Sequence, residues 1–283
     1  MSAITPPLQR RYRRPPRTTG NILGIFDSGL GGLTVLRHVR AQIPNEDIVY
    51  LADQAHVPYG DKALDVLEHL TRNNVAMLED AGVDAIVMGC NTSCAVAAKR
   101  GWPPSRVPIL DLIVAAADTV VATGGRRIGV LATSATASSG AYGAAIRARA
   151  SDRDVQEVGA PALVPLVEAG LLTGPVARAA VAAALARLIA PLDTLVLACT
   201  HYPLLEAHFT ALLPAEVRIV DPAAAQAARA AAFVRARGGE RGRGDTLFLT
   251  TGALPAYRRA LIETFAVVRP RDTIGLATPV PAR

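Results

Sequence analysis

Two cysteines stand where a thiol can do acid–base chemistry. Cys90 and Cys199 each close a short apolar run and precede a polar pair, Asn91-Thr92 in the first case and Thr200-His201 in the second. Read as strand followed by helix, each run sets its cysteine at a helix N-terminus, whose partial positive charge favours thiolate over thiol. A lone cysteine in such a run is ordinarily core filler, but two in equivalent settings point to function. Cys94, one helical turn beyond Cys90, has no counterpart after Cys199 and reads as packing. Opposed thiols suit inversion of a stereocentre, which needs a base on one face and an acid on the other, with the roles exchanged in reverse. Asp27 and His201 are the candidates to tune their protonation. An α-proton beside a carboxylate is very weakly acidic. Backbone N–H groups and the hydroxyls of Thr92, Thr136 and Thr200 are therefore suited to hold that carboxylate.

Competing chemistries fit less well. The C-x3-C and C-x-H intervals are not usual zinc spacings, and strand contexts do not suit a finger. There is no G-x-S-x-G elbow, and a cysteine hydrolase needs only one thiol. In Gly29-Leu30-Gly31-Gly32-Leu33-Thr34, a threonine replaces the third glycine of a dinucleotide fingerprint. Pyridoxal phosphate would have to use Lys62 or Lys99, the chain's two lysines.

The elements that must position these groups follow a βα rhythm. Apolar runs predict strands at Ile22–Phe26, Ile48–Ala52, Ala85–Gly89, Ile128–Ala132, Leu195–Ala198 and Leu247–Thr250. Between them, residues 61–81 place Leu64, Leu67, Val75 and Leu78 on one helical stripe. The alanine-rich stretch 176–190 follows a Gly174-Pro175 helix start. Alternating strand and helix implies an α/β class with mainly parallel sheets. The chain also echoes itself. VDAIVMGCNT (83–92) and LDTLVLACTH (192–201) align at an offset of 109 residues, and residues 22–28 align more weakly with 128–134 at an offset of 106. Two similar halves are expected, with a ligand beyond the carboxyl ends of their strands and both thiols aimed into the cleft between them.

Composition excludes other classes. The 283 residues are 51% hydrophobic and 19% charged, too apolar for a disordered chain, and no uncharged apolar run is long enough for a membrane span. Three cysteines make no disulfide framework and fit a reducing cytosol. The net charge of +6 invites a nucleic-acid reading that its distribution defeats. Residues 1–20 carry five arginines and no acid, whereas the remainder has 25 basic and 24 acidic side chains. The body is almost neutral and nucleic acid is not expected as a partner. The tail, with four prolines and little to bury, is expected to be disordered.

In order along the chain, FDSGLGG, VPYGD, the GCNTS around Cys90, VPLVE and ACTHYPLL resemble the signature set of the glutamate racemases, from about residue 22 to the end. The resemblance implies a cofactor-independent, two-base enzyme with two pseudo-symmetric α/β domains and its active site in the cleft between them. The expected division is 21–114 plus 222–283 for the first domain and 115–221 for the second. It also implies glutamate as substrate, a homodimer, and D-glutamate supply for peptidoglycan in the bacterial cytoplasm. By motif, Cys90 resembles the base for D-glutamate, assisted by Asp27, and Cys199 the base for L-glutamate, assisted by His201. Asp27-Ser28, Tyr59-Gly60, Asn91-Thr92 and Thr200-His201 resemble the substrate-contacting pairs, and Thr136 a further α-carboxylate contact. Glu168 of VPLVE resembles a supporting acid near the second cysteine, although on its own it reads as a solvated helix residue. Asp53 resembles a structural acid near the pocket. The chain departs from the pattern at 110–116, where Asp111-Leu112-Ile113-Val114-Ala115-Ala116 replaces a Gly-Val-Ile-Glu-Pro-Gly-like segment. Ala160 replaces a cysteine, and Asp221-Pro222 lacks the usual following serine. The altered segment motivates aspartate as an alternative substrate. The basic tail motivates a non-catalytic, anion-binding alternative.

Overall fold

The computed structural model describes residues 21–189, 191–240 and 242–277. The basic segment 1–20, with the disorder expected of it, lies outside the described residues. The chain opens with β1 (Ile22–Asp27), α1 (Leu33–Gln42), β2 (Asp47–Ala52), α2 (Leu64–Asp80), β3 (Ala85–Met88), α3 (Asn91–Arg100) and β4 (Ile109–Leu110). It continues through α4 (Leu112–Ala122), β5 (Arg127–Ala132), α5 (Ser134–Ser139), α6 (Ala141–Arg147), β6 (Asp154–Gly159), α7 (Leu163–Glu168), α8 (Gly174–Leu185), β7 (Thr194–Ala198), α9 (Glu206–Leu212) and β8 (Arg218–Val220). It closes with α10 (Pro222–Ala236), β9 (Thr246–Thr250), α11 (Leu254–Arg259) and β10 (Thr273–Leu276).

Two wholly parallel sheets result, one ordered β10-β9-β2-β1-β3-β4 and the other β6-β5-β7-β8. The second order repeats the β2-β1-β3-β4 core of the first. The repeat holds to within one residue. Leu23 pairs with Ala85 in the first sheet and Ile128 with Thr194 in the second, which reproduces the offset of 109 and sets the first strands 105 residues apart, one fewer than in the sequence echo. The echoed aspartates do the same job in each half. Asp84 Oδ2 accepts from the Ile22 amide at 2.9 Å, and Asp193 Oδ2 accepts from the Arg127 amide at 2.9 Å. Each ties the start of a central strand to the chain entering its neighbour.

Asp193 also accepts from the Arg126 amide and from the Thr194 hydroxyl. Burial pushes its carboxyl up, but these bonds and the Arg127 charge more than offset that and hold it below the ordinary value. Asp193→Ala should therefore lower stability by about 1–2 kcal/mol, read as a fall in the urea midpoint at neutral pH. Because the folded pKa is depressed, the difference should be complete above about pH 4 and vanish as the pH falls through the folded value.

The apolar strands are buried on both faces, as a parallel sheet between helices requires. On β1, Ile22 and Phe26 pack with α2 and α3, while Leu23 and Ile25 pack with α1 and α10. One core runs from the first half into the second. Met88, Cys94, Leu112 and Ala116 share it with Ile128, Val130, Tyr142 and Val196. The chain leaves the first sheet through α4 and returns through α10, which pack on each other. Both are N-capped by an aspartate: Asp111 accepts from the Ile113 amide at 2.8 Å and Asp221 from the Ala223 amide at 2.8 Å. The unusual segment 111–116 is thus a cap and the first, largely buried turn of a helix.

The 61–81 and 176–190 helices occupy Leu64–Asp80 and Gly174–Leu185. Strands β4, β6, β8 and β10 were not predicted. The first and third have only 2 and 3 residues, and β6 and β10 are half-buried edges with no apolar run. No helix among the described residues is long and apolar enough to cross a membrane.

Candidate active site

The central strands of both sheets end at one cavity of about 320 Å3. Asp27 is the last residue of β1, and Cys90 lies just past β3. In the other half Thr133 follows β5, and Cys199 follows β7. All four residues line the cavity. Equivalent positions of the repeat therefore supply one thiol from each half, and positions within one residue of equivalence supply one oxygen side chain from each.

Cys90 is the N-cap residue of α3, as expected. Cys199 differs from expectation, since it is followed not by an α-helix but by a 3-10 turn, Tyr202–Leu205, with α9 starting only at Glu206. Pro203 supplies no amide hydrogen for a continuing helix there. The expected depression of the Cys90 pKa is overturned as well. Burial raises it to about 11, and the Asp27 charge adds to that, against weaker pulls downward from Ser93 and Ser28. Removing a thiolate from water outweighs the partial charge of one helix end. Cys90 rests as a thiol.

Asp27 is fully buried, and its Oδ2 accepts from the Gly32 amide at 2.8 Å and the Gly29 amide at 3.2 Å. Burial raises its pKa, while the charge of His201 and these amides pull it back. Gly32 is required here, because a β-carbon at that position would lie 2.5 Å from Asp27 Cβ. Tyr50 secures the same loop by donating to the Gly29 carbonyl at 3.0 Å.

Around the second thiol, His201 bridges two partners. Its Nδ1 is 3.7 Å from Cys199 Sγ, and its Nε2 is 2.5 Å from Glu168 Oε1. Burial pushes the imidazole down, but hydrogen bonds to Cys199 and Glu168, with their charges, outweigh it and raise the pKa to about 10. His201 is an imidazolium at neutral pH, placed to donate to a thiolate. Glu168 closes α7 and is therefore not a merely solvated helix residue.

Eleven of the twelve candidate residues line this cavity: Asp27, Ser28, Tyr59, Gly60, Cys90, Asn91, Thr92, Glu168, Cys199, Thr200 and His201. Thr136 lies behind the wall, fully buried, in a hydroxyl cluster with Thr92 and Thr133 at 3.1–3.3 Å. That cluster joins the two halves. Thr133 was missed by sequence reasoning, although the echo that pairs residues 22–28 with 128–134 sets it opposite Asp27. Tyr142, reaching in from α6, was also missed; its hydroxyl donates to Asn91 Oδ1. This turns the Asn91 amide so that its Nδ2, which has no partner among the described residues, is left available. No sequence signal marked Tyr142.

Asp53 is a structural hub. Tyr59 Oη donates to it at 2.5 Å and Thr251 Oγ1 at 2.6 Å, and Asn74 Nδ2 lies 3.3 Å away. Cys94 sits in the core beside Asp111, away from the cavity lining. Ala160 serves through its backbone, its carbonyl accepting from Tyr202 Oη at 2.9 Å. None of residues 111–116 lines the cavity. Among the described residues, no group of three or more His, Cys, Asp and Glu side chains is arranged to hold a metal ion.

A family model described as Asp/Glu/hydantoin racemase matches residues 34–230. The chain belongs to this racemase family. Within it, the chain is 45% identical over 202 residues to a glutamate racemase of Trichodesmium erythraeum, covering 71% of this chain and 74% of the relative. In structure it is similar to glutamate racemase isoform RacE1 of Bacillus anthracis, with a TM-score of 0.85 and 26% identity over 93% of this chain and 99% of that one. The Francisella tularensis glutamate racemase, solved with D-glutamate, matches at a TM-score of 0.80 and 25% identity, covering 92% and 98%. These matches accord with two mainly parallel α/β halves.

Proposed function

We propose that the protein interconverts L- and D-glutamate without a cofactor, using Cys90 and Cys199 as opposed acid and base. The observation that carries this reading is the pair of thiols at equivalent strand ends of a repeat, lining one cavity, in a chain of this racemase family. A Cys199 thiolate takes the α-proton of L-glutamate, forming S–H and leaving the electron pair of the Cα–H bond spread into the carboxylate. The Cys90 thiol gives its proton to the opposite face and becomes a thiolate. The D-to-L reaction runs these steps in reverse. Burial and the Asp27 charge keep the proton on Cys90, so that thiol rests as the acid that the L-to-D direction needs.

Ser28, the Tyr59-Gly60 segment, Asn91, Thr92 and Thr200 hold the substrate's polar groups, and Thr136 acts by fixing the hydroxyls of Thr92 and Thr133. Glu168 orients His201. The same reading divides the chain into 21–114 plus 222–283 and 115–221. It also makes the enzyme a cytoplasmic homodimer supplying D-glutamate for peptidoglycan.

Circular dichroism of purified protein with L-glutamate, in the absence of pyridoxal phosphate, is expected to show decay to the racemate. In deuterium oxide the Cα of the product gains deuterium. L-Aspartate in a parallel assay is expected to turn over at least about tenfold more slowly, because one methylene shifts the side-chain carboxylate away from donors set for glutamate. Faster turnover of aspartate would overturn the substrate assignment.

A further inference from the structure

Lys62 and Lys99, the chain's two lysines, line one small crevice of about 190 Å3. Lys62 follows the Tyr59-Gly60 segment and Lys99 lies in the last turn of α3, both in the first half. The facing wall carries Ser138 and Ser139 of α5, in the second half. Among the described residues neither lysine side chain has an ion pair or hydrogen bond. The nearby acids of α2 are engaged by arginines: Asp65 Oδ1 accepts from Arg100 at 2.8 Å and Glu68 Oε1 from Arg72 at 3.2 Å. Two ammonium groups sharing one concave wall repel each other, and an anion between them converts that repulsion into attraction. Lysine recognises phosphate as a point charge, and the Ser138 hydroxyl supplies a further donor, whereas Ser139 Oγ already donates to the Thr136 carbonyl. The crevice is too small for a whole nucleotide and large enough for a phosphate group.

Thr92 lines both this crevice and the substrate cavity, and it belongs to the hydroxyl cluster with Thr133 and Thr136 that joins the halves. We propose that the crevice binds a phosphate group, free or on a small organic molecule, which bridges α3 to α5 and tightens the substrate cavity. The binding half of this inference is independent of the reaction; the tightening half rests on glutamate being the substrate.

Isothermal titration of the full chain with inorganic phosphate and, separately, with glycerol phosphate tests it, each with the substrate cavity filled by D-glutamate. Binding in the millimolar range or tighter is expected, weakening as salt is added. Lys62→Ala and Lys99→Ala should each weaken it at least about tenfold, the equivalent of one charge-assisted hydrogen bond. Tighter binding of the ester identifies an organic phosphate as the ligand, and equal binding identifies the free ion. The glutamate KM should fall on adding phosphate to the wild type and stay constant in both variants. No binding by the wild type, or binding unchanged in both variants, overturns the site. Binding with no effect on KM overturns the tightening.

Discussion

Cys90→Ala and Cys199→Ala are each expected to lower racemisation by about 10⁴-fold or more, with the fold intact. A positioned acid or base contributes about 10²–10⁴-fold, and here each variant removes one partner of a step that has no other group on that face. Both thiols are small and buried, so trimming either to alanine removes one sulfur from a cavity wall and leaves the sheets unaltered. The two losses are distinguishable. Cys90→Ala keeps the Cys199 base, so any solvent deuterium that still enters substrate should enter L-glutamate alone. Cys199→Ala should show the mirror result with D-glutamate. Wild-type turnover in either variant would end the two-base account. In the parent enzyme, kcat/KM for the two enantiomers should coincide at every pH, because the equilibrium constant of a racemisation is one. The basic limb should set in near pH 10, where His201 loses its proton and with it the donor facing Cys199.

Much of this arrangement was legible in the sequence because it lies in local patterns. Runs such as ILGIF and TLVLA are buried on both faces, and their β-branched and leucine content marks them as strands without any tertiary information. The echo predicted two similar halves, and the structure adds what its aspartates do: Asp84 and Asp193 each stand where a strand's first amide needs an acceptor. Edge strands were hidden, because β6 reads DVQEVG and buries no full face. The protonation state of Cys90 was hidden for another reason. A helix end is visible in sequence, whereas complete burial beside Asp27 exists only after two loops have packed. Contacts between halves were the least legible. Tyr142 and Asn91 are 51 residues apart and meet only because α6 lies across α3. Position 111 shows the converse: a departure from the family pattern that motivated aspartate as an alternative substrate is a capped helix start, because aspartate before an apolar run is itself a helix signal.

Gly31→Ala is expected to lower kcat/KM by about 10²-fold, because this glycine is where the loop after β1 meets the residues after β7. A β-carbon at position 31 would lie 2.4 Å from Thr200 Oγ1 and 2.7 Å from His201 Nδ1. Gly31 does not have a positive φ, so the cost is steric and not one of backbone strain. Something must move. His201 is held on its far side by Glu168 at 2.5 Å, and Thr200 lies 3.5 Å from the buried Asp27. Relief therefore comes by parting the two loops or by swinging the imidazole off Cys199. Either shift, of about 1 Å, spoils the opposition of the thiols, and a displacement of that size is worth about 10²-fold in rate. Loss of the Cys199 contact also removes one of the bonds that raise the His201 pKa, so the basic limb of kcat/KM should move to lower pH. Gly29→Ala is the control, two residues away in the same loop. Its β-carbon would meet Val57 Cγ1 at 3.3 Å and Glu168 Oε1 at 3.7 Å, contacts that side chains relieve with small shifts. That variant should keep activity within about tenfold, in line with the cost of mild overpacking. Equal losses in the two variants would show that the loop as a whole, and not its contact with Thr200 and His201, sets the geometry of the thiols.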